Sequence, residues 1–233
     1  MTAVVIGVGP GLGRSIAHRF GREGHPVALI SRSDTRHAGY LAELSTAGVK
    51  AEAFTADVQD TDRLRSVLDD AAERLGPIDV AYYGPAALGD SIARLDTAAA
   101  DDIRAAMKIF YPAVDVVHHV LPGMLDRGRG TLLFAGGLSS VRVMPQLGAV
   151  AIPSAAMRNY AITLNATLAD TGVYAGTLTI GGLISRGDIY TLVKANEATW
   201  GPIATLDPDD IADSAWDLHA KRDRAEEIFN VID

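Results

Sequence analysis

The sequence contains no cysteine. That removes thiolate catalysis, disulfide bonds and cysteine-ligated metals from consideration. No apolar run reaches the ~18 residues needed to cross a bilayer. The N-terminus lacks a basic stretch followed by an apolar run long enough for a signal peptide. Positive charge is scarce: 21 Lys and Arg stand against 29 Asp and Glu, for a net charge of −8. A nucleic-acid binder would normally carry a basic patch. These absences leave a soluble, cytoplasmic protein as the expectation, with neither nucleic acid nor membrane as partner. What remains is 233 residues, 48% of them hydrophobic, enough for one large core. With no repeat, low-complexity run or linker in the sequence, residues 1–233 are expected to form a single domain.

Apolar runs alternate with helical patterns along the chain. Strands are expected near residues 4–6, 26–31, 49–55, 78–83, 130–135, 173–180 and 227–231. Helices are expected after the first glycine cluster and over 35–47, 60–75, 101–127, 149–171 and from Pro208 to near Ala220. Asp60 or Thr61 caps the third helix, and Gly76 with Pro77 stops it. Pro112 lies inside the long fourth helical region, where it kinks or splits it. Strands separated by helices imply an α/β fold, with a parallel sheet covered on both faces. Residues 181–206 show no clear pattern, and a stretch of that length in a compact domain reads as a lid or binding loop.

The densest chemistry lies at the start. Val4, Val5 and Ile6 form a buried-strand pattern that runs into Gly7, Gly9, Gly11 and Gly13, with a helical pattern beginning at Leu12. Glycines at such a bend let the backbone approach a ligand closely. The following helix then aims its free amides and positive dipole end at the turn, which suits a pyrophosphate. The spacing is G-x-x-x-G-x-G at Gly7, Gly11 and Gly13. At the end of the second strand, where an adenosine ribose is read, stand Ser31 and Arg32 instead of an acidic residue. An acidic side chain there would favour NAD, whereas Arg32 presents a forked donor set to a 2′-phosphate. NADP(H) is therefore expected over NAD(H). Asp57, followed by Val58 after the third strand, is a candidate partner for adenine, or alternatively a turn carboxylate.

These residues together resemble the short-chain dehydrogenase/reductase family. The resemblance rests on Gly7-x-x-x-Gly11-x-Gly13, Ser31-Arg32, Asp57-Val58, Ile78-Asp79-Val80, Leu121-Pro122-Gly123-Met124 and Pro208-Asp209-Asp210-Ile211-Ala212, and it covers nearly the whole chain. It implies a Rossmann-type doubly wound sheet of about seven parallel strands, a nicotinamide coenzyme and a homodimer or homotetramer. In that setting Gly84 would follow the fourth strand beside the coenzyme, Gly182 and the Ile184 backbone would face the carboxamide, and Ser185 would lie near the phosphates.

Active members of the family use Asn, Ser, Tyr and Lys. The family spacing puts Ile109, Gly137, Val150 and Ser154 at those positions, and the chain's one Tyr-x-x-x-Lys, Tyr190 to Lys194, begins forty residues after the Tyr position. The hydroxyls that could act instead are those of Tyr83, Tyr111, Ser139 and Ser154, with Tyr82 beside Tyr83 facing the other way. His118 and His119 are adjacent on a helix and diverge, and no metal motif is present. The sequence thus leads to an NADP(H)-dependent oxidoreductase with a non-standard active site and a small-molecule substrate. The alternatives are a coenzyme-binding sensor or scaffold without turnover, in which a small molecule acts as effector, and a non-redox enzyme on the same fold.

Overall fold

The structure, a computed structural model, describes residues 1–86, 93–196, 198 and 201–232. Within the 181–206 stretch, residues 197, 199 and 200 therefore lie outside the described residues. Seven parallel strands form the central sheet: β1 (Thr2–Ile6), β2 (Val27–Ser31), β3 (Ala51–Thr55), β4 (Ile78–Tyr83), β5 (Gly130–Gly137), β6 (Val173–Gly181) and β9 (Glu226–Asn230). Their order across the sheet is β3-β2-β1-β4-β5-β6-β9. Between β1 and β4 the direction of winding reverses, and in such sheets the ligand crevice opens beyond the carboxyl ends of the strands at that reversal.

Helices α1 (Leu12–Arg22), α2 (His37–Thr46), α3 (Thr61–Leu75), α4 (Ala100–Met107), α5 (Tyr111–Asp126), α6 (Ala151–Thr167), α7 (Asp188–Ala195) and α8 (Pro208–Lys221) complete the frame. Strand alternation sorts the sheet's side chains into two cores. Val4, Ile6 and Tyr83 pack with residues of α3, α5 and α6. Ala3, Val5 and Tyr82 pack with α1, α2 and α8 around Phe20.

Local chemistry accounts for the helix boundaries. Asp60 caps α3 by accepting from the Arg63 amide at 3.0 Å, and Gly76 ends it at a positive φ. Pro112 splits the long helical region instead of kinking it: α4 stops at Met107, and Pro112 sits in the first turn of α5, where its missing amide costs no hydrogen bond. The next helix opens as a tight 3-10 turn over Pro145–Val150, broken at Gly148 with φ of 45°, before α6 proper. The patternless 181–206 stretch carries two two-residue strands, β7 (Leu183–Ile184) and β8 (Thr205–Leu206), that pair in parallel, with α7 between them. At the far end of β4, buried Asp79 accepts from Arg127 and Arg129 at 3.2 Å each. That part of the Ile78-Asp79-Val80 motif pins the sheet at the end opposite the crevice.

Among the described residues no helix is long and apolar enough to cross a membrane.

Candidate active site

The glycine turn after β1 is shaped by contact with β4. Gly7 has φ of +87°, and a Cβ there would lie 2.6 Å from the Pro85 nitrogen. At Gly13 a Cβ would lie 2.8 Å from the Val8 Cα, so this glycine lets α1 pack directly on the turn. Gly9 differs, because a Cβ there would meet nothing within 4 Å. Helix α1 has Gly11 as its N-cap, with no side-chain cap and no acidic residue in its first turn. The first amides to find partners are Arg14, on Gly9 O, and Ser15, on Gly11 O. The Leu12 and Gly13 amides precede them and remain for an anion.

The turn forms one wall of a cavity of about 410 Å³, within the range of roughly 300–1,000 Å³ typical of ligand pockets. Of the residues expected to contact a coenzyme, Gly7, Gly9, Gly11, Leu12, Gly13, Gly84, Gly182 and Ile184 line it. Ser31, Arg32, Asp57, Val58 and Ser185 lie outside that lining. Arg32 is exposed at the end of β2, with no ion pair or hydrogen bond among the described residues. The Ser31 hydroxyl is engaged internally: it donates to Ser33 O at 2.9 Å and accepts from His37 Nε2 at 2.6 Å. Burial holds the His37 ring below the usual histidine pKa, in keeping with a neutral ring in that bond. One Asp57 oxygen accepts the Gln59 amide at 3.0 Å, the turn role. Val58 packs against the α3–α5–α6 core. Ser185 is half-buried, and its amide donates to Leu206 O.

The opposite end of the cavity is apolar. Ile109, Leu147, Val150, Pro153 and Met157 line it, together with Ser139 and Ser154. Val150, Pro153, Ser154 and Met157 recur at helical spacing and present one face. Ser154 Oγ donates to Val150 O at 3.2 Å. Ser139 Oγ is buried without a hydrogen-bond partner. Both hydroxyls converge in front of Gly137, where a Cβ would lie 3.4 Å from Ser139 Oγ and 3.5 Å from Ser154 Oγ.

The tyrosines are placed otherwise. Tyr83 is not in the lining: it packs in the α3–α5–α6 core, and its hydroxyl donates to Ile109 O at 2.8 Å. Burial raises its pKa, with the Asp115 and Asp57 charges adding to the effect. Tyr111 lies at the start of α5, 54% exposed and outside the lining. Tyr82 does line the cavity, on the opposite face of β4 from Tyr83.

Two charged residues were not anticipated. Asp188, at the start of α7, lines the cavity, and Arg36, before α2, grips its carboxylate at 2.7 and 2.8 Å. Their separation of 152 positions leaves no local signal in the sequence.

The profile of the short chain dehydrogenase family matches residues 1–188. The chain belongs to the short-chain dehydrogenase family. It is 29% identical over 220 residues to a 1-deoxy-11-beta-hydroxypentalenate dehydrogenase of Streptomyces avermitilis, covering 92% of this chain and 79% of that one. It is 27% identical over 192 residues to a short chain dehydrogenase of Pseudocercospora fijiensis, covering 79% of this chain and 60% of that one. Among solved structures, a variant of actinorhodin polyketide ketoreductase with NADPH superimposes with a TM-score of 0.86 at 21% identity, covering 99% of this chain and 95% of that one. The seven-stranded parallel sheet and the glycine turn at its winding reversal are thus those of a short-chain dehydrogenase.

Proposed function

We propose that this short-chain dehydrogenase is an NADP(H)-dependent oxidoreductase that works without a phenolic proton donor on a small molecule with a conjugated carbonyl. When bound, the coenzyme supplies or accepts a hydride. The Leu12 and Gly13 amides hold the diphosphate, and Arg32 meets the 2′-phosphate. The coenzyme reading draws support from the unpartnered Arg32 guanidinium and from the NADPH bound to the ketoreductase of similar fold.

The observation that carries the active-site reading is the buried, unpartnered Ser139 hydroxyl beside Ser154, in front of Gly137. Ser139, joined by Ser154 once its hydroxyl turns from Val150 O, donates a hydrogen bond to the substrate oxygen on which negative charge develops, and the apolar wall from Ile109 to Met157 keeps water from weakening these bonds. A serine hydroxyl is too weak an acid to deliver a proton at neutral pH. Substrates whose hydride-accepting carbon is conjugated to the oxygen suit this site, because the charge is already delocalised and the product enolate can take its proton from water on release.

In the same reading residues 1–233 act as one domain in the cytoplasm, with 181–206 as the lid. Exposed Tyr111, Leu125 and Ile152 on α5 and α6 support a homodimer or homotetramer built through these helices.

A second reading, a coenzyme-binding sensor without turnover, is favoured by the Tyr83 hydroxyl being held by Ile109 O. The test offers NADPH and a panel of enones, quinones and simple ketones. Loss of the NADPH absorbance with conjugated substrates, and not with simple ketones, is expected. Binding without any loss replaces the enzyme reading with the sensor, and no binding sinks both.

A further inference from the structure

Three segments meet at the rim of the cavity. The turn before α7 lies on the glycine loop: a Cβ on Gly11 would sit 3.1 Å from the Gly187 Cα and 3.4 Å from Ser185 O. The next residue, Asp188, lines the cavity and holds both terminal nitrogens of Arg36. Tyr40, on α2, completes the group. It is buried, and its hydroxyl lies against the Arg36 guanidinium, close enough to feel the charges of Asp188 and Arg14 as well. Arg14 itself is paired with Glu43 at 2.6 Å. A carboxylate from the lid segment therefore sits on the forked donors of Arg36, with the buried Tyr40 hydroxyl against the same guanidinium, an arrangement that can recognise a phosphate. Arg36 lies four residues beyond Arg32, on the same loop after β2.

We infer that the Asp188 carboxylate is an internal stand-in for the coenzyme's 2′-phosphate: the incoming phosphate takes Arg36 from Asp188 and thereby frees the α7 segment from the glycine loop. This rests on the NADP(H) reading above. Asp188 and the phosphate compete for one guanidinium, and two anions cannot share it without repulsion. Arg36 thus reads the 2′-phosphate alongside Arg32, and Asp188 makes that reading conditional on lid release. Both partners are more than half exposed, at 53% and 63% of their side chains, so the competing pair is weak and the effect of Asp188 is modest.

The probes are 2′,5′-ADP, which carries the 2′-phosphate, and ADP, which carries the diphosphate alone. Each is titrated calorimetrically into the wild-type chain and into D188N, R36Q and the double variant. Losing the competitor should tighten 2′,5′-ADP by about two- to fivefold in D188N. Losing the receptor should weaken it by about tenfold or more in R36Q. In the R36Q background D188N should change nothing, because the competition is over Arg36. ADP should respond to R36Q by less than about twofold. Weaker or unchanged 2′,5′-ADP binding in D188N, or equal loss of both nucleotides in R36Q, would overturn the inference while leaving NADP(H) binding intact. Failure of the wild-type chain to bind either nucleotide would overturn the coenzyme reading itself. Circular dichroism and melting temperatures of the variants keep a folding defect distinct from a binding defect.

Discussion

Replacing Gly7 by alanine should destabilise the fold, whereas replacing Gly9 should leave stability nearly unchanged and weaken the coenzyme. At Gly7 two costs act together. The residue has φ of +87°, which costs a residue with a Cβ roughly 1–2 kcal/mol. The new methyl would also lie 2.6 Å from Pro85 N and 2.7 Å from Pro85 Cα. These are backbone atoms that cannot swing away, so the overpacking adds about 1–3 kcal/mol. The sum is about 2–5 kcal/mol. For a chain of this size, at roughly 2–4 °C per kcal/mol, it lowers the melting temperature by roughly 4–20 °C. A methyl at Gly9 meets no protein atom within 4 Å and points into space the cavity occupies, so its stability effect should stay within about 0.5 kcal/mol. Thermal melts of both variants, followed by NADPH titration at a temperature where both are folded, read the two effects separately. A Gly9→Ala variant as unstable as Gly7→Ala, or one that binds NADPH as well as wild type, would refute the division of labour in the glycine turn.

Arg32→Asp should weaken NADPH by about 10–100-fold while leaving NADH within a few-fold; equal loss in a paired titration removes the 2′-phosphate role. Ser139→Ala should leave the urea midpoint unchanged or raised, because the hydroxyl it deletes is buried without a partner, yet slow hydride transfer to a conjugated carbonyl by about tenfold or more; unaltered rates contradict the proposed anchor. Stability should fall on acidification. His219 packs among Phe20, His25 and Trp216. Burial, reinforced by His25 and Arg222 and opposed by Asp79, holds its pKa at about 4, against an ordinary 6.5, and burial also lowers that of His25. The unfolded chain therefore takes up protons that the folded chain refuses. This stabilisation is complete above pH 6.5 and is lost as pH falls towards 4. The ceiling is about 3 kcal/mol for His219, discounted to about 1–2 because the ring is partly open to solvent. Urea midpoints at both ends of that window should show the loss, with a shallower slope in His219→Gln; a parallel slope in the variant counts against the histidine origin.

The parallel sheet was legible in the sequence because its central strands are buried on both faces. β1, β2 and β4 therefore read as short apolar runs, and the intervening helices carry their own stops at Gly48 and Gly76. The glycine turn was legible for a related reason: positive φ at Gly7 and backbone contact at Gly13 admit almost nothing else. Residues 181–206 were not, since strands of two residues leave no periodicity to detect. Alternation along β4 separated Tyr82 from Tyr83, but only the packed structure shows Tyr82 at the cavity and the Tyr83 hydroxyl spent on Ile109 O. The apolar face of Val150, Pro153, Ser154 and Met157 was available from helical spacing alone. The Arg36–Asp188 pair was not, because two elements distant in sequence meet only across the finished crevice.

The most direct measurement is a calorimetric titration of the protein with NADPH and with NADH. The account predicts that NADPH binds at one site per chain, at least about tenfold more tightly than NADH. Equal affinities, or binding of neither, would contradict it.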